Sequence, residues 1–541
     1  MNAPVVSAIP ATFPTITAAS LARRLDDAAE LALVDVREEG VQATVGHILH
    51  SVPLPLSRLE LRAGTLLKRR GVPIVVTDGG QGDLARRGAE KLVELGFTDV
   101  TLLERGVAGW AAAGHEVYTG SGAYSKAFGE FVEHAYGTPH ISALDLKRQL
   151  DASDDVVVLD GRTFGEFESF SLPGAHAVPN AELPLRAHDL IPSDTTLVVV
   201  NCAGRTRSII GAQALVNAGL PNRVVALENG TMAWLEHGWS LDHGRKEQSK
   251  SPSAEALAKA GASVERLTNR FNLNWIDEAT LARFEAEADV RSLYVYDVRT
   301  KSEFEAGHLP QAHWAEGGQL VQGIDRWVAA RHSRIVVVDD EVGARAAITA
   351  SWLVQLGWGE VFALAVRQTG EGRVTGPERA PLIQASPTAE TITPDALQAE
   401  LDAGGVTVID LDTSLAYAAG HIPGATFAIR ARIDVERDGL AGKSVVMTSS
   451  DGVAAAFAAA DFAKSGLSVR VLDGGTHAWQ RAGLPLETGE TSVLHAADDV
   501  WRTPYQQKGD RLAAFRTYLD WEVALLAQIG RDPTVSFKVF P

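Results

Sequence analysis

Short, uninterrupted apolar runs recur along this chain, each closed by a polar turn and followed by a stretch with helical spacing. Leu33-Val34, Ile74-Val75-Val76, Leu197-Val198-Val199-Val200, Val337-Val338 and Val408-Ile409 are runs of the first kind. Leu84 to Leu95, Ile209 to Ala218 and Arg345 to Leu356 are stretches of the second. A strand that is apolar on both faces leaves neither face for water, so helices must cover both sides of its sheet. The alternation therefore predicts an α/β protein built on parallel sheets. Ligands in such sheets bind beyond the carboxyl ends of the strands.

The runs fall into four copies of one pattern. An apolar strand ends in Asp, a Gly-His-Ile-Pro-Gly-like turn follows, and a second apolar strand leads to a loop and a helix. The strand ends are Asp35-Val36-Arg37, Asp160-Gly161-Arg162, Asp297-Val298-Arg299 and Asp410-Leu411-Asp412. The turns are Gly46-His47-Ile48, Leu172-Pro173-Gly174, Gly307-His308-Leu309-Pro310 and Gly420-His421-Ile422-Pro423-Gly424; the second copy has Phe170-Ser171 where the others have Gly-His. The loops start at Asp78, Cys202, Asp340 and Ser449, at nearly constant spacing from the strand aspartates. A closing Gly-x-x-x-Trp element spans Gly106 to Trp110, Gly230 to Trp234 and Gly475 to Trp479, and the third copy lacks it.

The expected domains are 16–118, 139–241, 272–380 and 392–487, with a helical extension over 488–541. Tyr124, Phe128, Phe131 and Tyr136 mark a packing helix between the first two copies, and the polar stretch Asp242 to Ser253 reads as a mobile boundary between tandem pairs. Phe515, Leu519, Leu525 and Leu526 give Ala513 to Ile529 an apolar face that must dock on the repeats.

Composition changes this picture little. The chain has 541 residues, 45% of them hydrophobic and 22% charged, enough for several cores. A formal charge of -18 argues against general binding to nucleic acid or an anionic membrane surface. No apolar stretch approaches a membrane span. Met1 to Pro14 lacks the basic start and apolar run of a signal peptide, and one cysteine makes no internal disulfide, so a cytoplasmic location is expected. His47 and His50 have no further clustered ligands, so neither a metal nor a cofactor is expected.

That one cysteine carries the candidate chemistry. Cys202 opens Cys202-Ala203-Gly204-Arg205-Thr206-Arg207-Ser208, directly after a buried strand and before a helix. Successive backbone N–H groups there cradle an anion, and the helix N-terminus with two arginines favours a thiolate. A lone cysteine is otherwise a small buried hydrophobe. This setting makes a nucleophile the better reading.

Taken together, the Asp-x-Arg strand ends, the Gly-His-Ile-Pro-Gly turns, the Cys-x-x-x-x-Arg-Ser loop and the Gly-x-x-x-Trp elements resemble the rhodanese family of sulfurtransferases. The resemblance covers nearly all of residues 16 to 487, and the whole looks like the bacterial members built from four repeats. It implies four rhodanese-like domains, each a parallel sheet flanked by helices on both faces, plus the C-terminal helical tail. It also implies transfer of a sulfane sulfur from thiosulfate or a related small-molecule donor to cyanide, a thiol or a protein acceptor, through a persulfide on Cys202. Only the second copy has the cysteine, so Asp78, Asp340 and Ser449 mark inactive copies, the two carboxylates filling their own cradles. Ala203, Gly204, Arg205, Thr206, Arg207 and Ser208 form the substrate loop. Arg205 is expected to face the donor oxyanion; Arg207 either does the same or braces the loop; Thr206 either meets the donor or caps the helix. Asp160 and Arg162 support the loop as an ion pair, and Glu166 reads as a solvated helix residue. The first copy is expected to wall the Cys202 cleft, with the third and fourth forming a second pair. Two other readings remain: a Cys-dependent phosphatase, whose loop would need one more residue before the arginine, and a non-catalytic persulfide sensor or relay.

Overall fold

A computed structural model describes residues 10, 12–247, 251–367, 369–378, 381–436, 440, 442–464 and 469–541. Part of the expected boundary at 242–253, residues 248–250, lies outside these. Among the described residues, four α/β units follow one another, and the same strand order recurs in each. In the second unit the order is His140–Ile141, Val224–Leu227, Leu197–Asn201, Val156–Asp160 and His176–Ala177, all parallel. Every residue of the middle strand Leu197–Asn201 is buried, as a strand covered on both faces requires. Cys202 is the first residue beyond its carboxyl end.

Two of the repeated motifs have a clear physical purpose. In the first three units the arginine folds back on the strand aspartate, and its far N–H reaches the carbonyl of Gly46, Phe170 or Gly307. Only a backbone carbonyl is needed there, so Phe170 serves as well as glycine. The fourth unit has Asp412 instead of arginine, and burial, with the charge of Asp412 added, pushes Asp410 up to about 7. The Gly-x-x-x-Trp elements bring a helix N-terminus onto the loop backbone: Val107, Thr231 and Thr476 N–H donate to the carbonyls of Asp78, Cys202 and Ser449 at 2.9, 2.9 and 3.0 Å. A Cβ at Gly230, whose φ is +51°, would lie 2.3 Å from the Cys202 carbonyl oxygen, so no side chain fits.

The histidine turns act as braces. His308 and His421 ring nitrogens lie 2.7 and 2.8 Å from the carbonyls of Phe304 and Tyr417 one turn back, and the Ser171 main chain pairs with Asp242 as His308 and His421 pair with Val374 and Glu487.

The packing of units corrects the expected pairing. One continuous apolar core draws residues from the first three units, the linker helix Ala123–Tyr136 and the tail, while the fourth unit keeps cores of its own. Ala330–Arg331 of the third unit pairs antiparallel with Leu31–Asp35 of the first, extending that sheet. The third unit also meets the second, where Arg345 reaches Glu182 at 3.1 Å. The fourth unit docks on the first through Arg430 and Glu60 at 2.8 Å. The reason lies in the linker helix, whose aromatic face reaches across to the third unit. Tyr124 packs edge-on against Trp358 at 4.8 Å and Phe128 against Trp352 at 6.0 Å. Such pairs add about 0.5–1.5 kcal/mol each beyond area burial.

Candidate functional site

The loop after Leu197–Asn201 is held from below and behind. Beneath it Arg162 and Asp160, both fully buried, pair at 2.8 Å, and Asn201 Nδ2 donates to Asp160 at 3.0 Å. Behind it Thr231 and Met232 N–H donate to the carbonyls of Cys202 and Ala203. The helix Thr206–Ala218 then begins, aiming the unpaired amides and positive dipole end of its first turn at the loop. Cys202 is 2% exposed, and Ser208 Oγ donates to its sulfur at 3.1 Å.

The sulfur lies at a cavity of 780 Å³. Besides the loop, its walls include Lys126 of the linker helix, Arg326 of the third unit, and Trp501, Tyr505 and Glu522 of the tail. The first unit contributes Arg62. The expectation that the first copy walls the cleft is therefore corrected: the third unit and the tail supply more of the wall. The tail helix Arg511–Ile529 packs along the linker helix, which places Tyr518 and Glu522 over Gly204. A Cβ on Gly204 would sit 3.4 Å from both side chains.

The loop side chains are engaged in ways the sequence left open. Arg205 is gripped by Glu130 at 2.8 Å and Glu133 at 2.5 Å, both on the linker helix, and by Asn229. Arg207 meets both oxygens of Glu166 at 2.7 Å. This corrects Glu166, which is no solvated bystander. Burial would raise its carboxyl, but the charge and bonds of Arg207 hold it down at about 2. Thr206 does not cap the helix; its hydroxyl donates to Glu522 at 2.5 Å. Burial raises the Glu522 carboxyl against the charge of Lys126 and that hydroxyl. Ala203 accepts at its carbonyl from Tyr505 at 3.3 Å, and Tyr505 stacks on Phe170 at 4.7 Å.

The matching loops differ. Asp78 accepts from the N–H groups of Gly80 and Ala85 at 2.7 and 3.0 Å, and Asp340 from Val342 and Gly343 at 2.9 and 3.3 Å. Each carboxylate takes its own loop's donors. Ser449 Oγ is buried with no hydrogen-bond partner. Among the described residues no cluster of three or more metal-ligating side chains occurs, and no helix is long and apolar enough to cross a membrane.

Sequence reasoning missed Lys126, Glu130, Glu133, Tyr505, Tyr518 and Glu522. The one available signal was the linker helix, whose aromatic face announced packing while its charged residues went unread.

The rhodanese-like domain profile matches residues 17–113, 142–237, 279–365 and 393–482. A crystal structure of a thiosulfate sulfurtransferase from Pseudomonas aeruginosa superposes with a TM-score of 0.92 at 42% identity, covering 98% of this chain and 100% of that one. A sulfurtransferase of Allochromatium vinosum is 33% identical over 98 residues, 18% of this chain and 89% of the relative. A putative sulfur carrier protein of Bacillus subtilis is 27% identical over 187 residues, 32% of this chain and 97% of the relative.

Proposed function

This chain belongs to the rhodanese-like domain family and is a sulfurtransferase; from that premise we propose that it moves a sulfane sulfur from thiosulfate or a related donor to a thiophilic acceptor through a persulfide on Cys202. The observation that carries this reading is the position of the single cysteine. It lies at the carboxyl end of the middle strand, under a helix N-terminus, with a hydroxyl donor on its sulfur and a cavity in front of it.

The Cys202 thiolate attacks the outer sulfur of thiosulfate. A new S–S bond forms, the old one breaks, and its electron pair leaves with sulfite. Cyanide or a thiol then attacks the outer sulfur of the persulfide and restores the thiolate, so no oxidant or cofactor is consumed. The anion stays on sulfur throughout, and the same amides and the Ser208 hydroxyl serve both states with little reorganisation. Asp160 and Arg162 fix the loop from beneath and touch no substrate. The bidentate Glu166–Arg207 pair counts against the phosphatase alternative, since it occupies the guanidinium that would have to grip a phosphate.

The test is intact mass spectrometry and turnover on the full chain. Thiosulfate adds one sulfur atom to the wild type and none to Cys202→Ser, sulfite is released, and cyanide strips the adduct. Substantial thiosulfate-to-cyanide transfer by the folded serine variant overturns the proposal. Uptake of one sulfur without turnover to any small acceptor would favour the relay reading.

A further inference from the structure

Five cationic side chains line the Cys202 cavity: Arg62, Lys126, Arg205, Arg207 and Arg326. Four of them are neutralised. Arg205 is held by Glu130 and Glu133, Arg207 by Glu166, and Arg62 and Arg326 both by Glu39 at 2.8 Å. Among the described residues, Lys126 alone of the five forms no ion pair and no side-chain hydrogen bond. Its side chain is nevertheless 8% exposed, on a helix whose partners hem it in from the loop, the third unit and the tail.

An ammonium that is nine-tenths buried and unpaired is costly unless something of opposite charge visits it. Burial draws its pKa down, against the charges of Glu522, Asp325 and Cys202 and together with that of Arg207. Of the two carboxylates, Glu522 takes the Thr206 hydroxyl at one oxygen and leaves the other without a hydrogen-bond partner, and among the described residues neither forms an ion pair with the ammonium. A sulfur donor such as thiosulfate brings two negative charges to a site whose thiolate already carries one. The arginines of the loop have spent their charge on carboxylates. Three N–H donors on a compact point charge remain, facing the cavity in front of the sulfur.

We propose that Lys126, on the linker between the first two units, is the residue that binds the oxyanion end of the sulfur donor and selects donors that carry one. The proposal rests on the sulfur-transfer reading above and replaces Arg205 as the expected oxyanion contact. It assigns the ligand class as a sulfane sulfur joined to a sulfonate-like terminus, rather than an uncharged polysulfide.

The test compares full-length wild type, Lys126→Met and Lys126→Arg, each first shown to melt cooperatively. Transfer to cyanide is measured from thiosulfate and from an uncharged organic trisulfide. Loss of a charge-assisted bond predicts that Lys126→Met lowers kcat/KM for thiosulfate roughly ten- to hundredfold, through KM, relative to its effect on the trisulfide. Lys126→Arg recovers most of it. Equal losses with both donors, or an unchanged thiosulfate KM, overturn the proposal. If Lys126→Met does not fold, Lys126→Gln, which keeps a polar terminus without the charge, is read by the same criteria. Failure of the sulfur-transfer reading is distinguished by calorimetric titration of the unreactive Cys202→Ser protein with thiosulfate, alone and with Lys126→Met. Weaker binding in the double variant supports Lys126 whatever Cys202 does; identical affinities refute it even if the persulfide forms.

Discussion

The loops of the second and third units run the same course and reach opposite ends. Arg345 stands at the same offset from Asp340 as Arg207 from Cys202, and Glu303 at the same offset from its strand aspartate as Glu166. Both glutamates close a capping box with a threonine, Thr300 or Thr163, and both take the arginine at 2.7 Å. The arginine–glutamate bond is thus a brace common to a loop with a cysteine and one without. In the third unit the same arginine also binds Asp339 and Asp340 of its own unit and Glu182 of the second, so the loop is filled by carboxylates. In the second unit Cys202 adds no carboxylate. Asp339 and Asp340, where the second unit has Asn201 and Cys202, separate a cradle filled by carboxylates from one open to a visitor.

The most severe way to break this comparison is to make the second loop like the third. Cys202→Asp should abolish sulfur transfer entirely while the chain still melts cooperatively; residual thiosulfate turnover would show that the loop's first residue does not decide its state. Next in size is the arginine. Arg345→Met strands several buried carboxylates and should cost about 3–5 kcal/mol in denaturant unfolding. Arg207→Met, whose partner Glu166 is partly exposed, should cost about 1 kcal/mol. Equal costs would mean that the two loops are braced alike throughout.

Acid separates them more gently. Glu166 is held at about 2 against an ordinary 4.5, so its contribution is complete above 4.5 and is lost as pH falls through 2. Burial, with Asp340 adding its charge, pushes Asp339 the other way, so the contribution of that carboxyl is present at acid pH and is lost as pH rises through the raised value, while Glu303 is lowered as Glu166 is. Carboxyl NMR titration should therefore place Glu166 and Asp339 on opposite sides of the ordinary range, and a shared inflection would contradict the comparison. The smallest expected effect is none: Asp340→Cys should gain no measurable transfer, because Arg345 keeps its other carboxylates there. Appreciable activity would show that the cavity is dispensable.

The repeats and the cysteine were legible because each motif is local. Asp-x-Arg closes on itself within three residues, and a strand, a loop and a helix start are read from one contiguous stretch. The walls were not legible, since residues 126, 326, 505 and 522 share no periodicity with the loop that they enclose. Phe128 and its neighbours announced a buried helix face, but an aromatic stripe does not name its partner, and the partner proved to be the third unit. Glu166 looked solvated because a capping-box glutamate has the same sequence signature whether or not an arginine stands opposite.

Trp501, Tyr505 and Glu522 lie after all four units in the chain, yet they help to finish the chamber around Cys202. A ribosome delivers them after all four units, and domains fold as they emerge. The second unit can therefore close its sheet and present its sulfur while the roof is still unmade. During that interval the thiol is open to passing oxidants and electrophiles. Arrival of the tail helix sets the moment at which the chamber around the sulfur is complete.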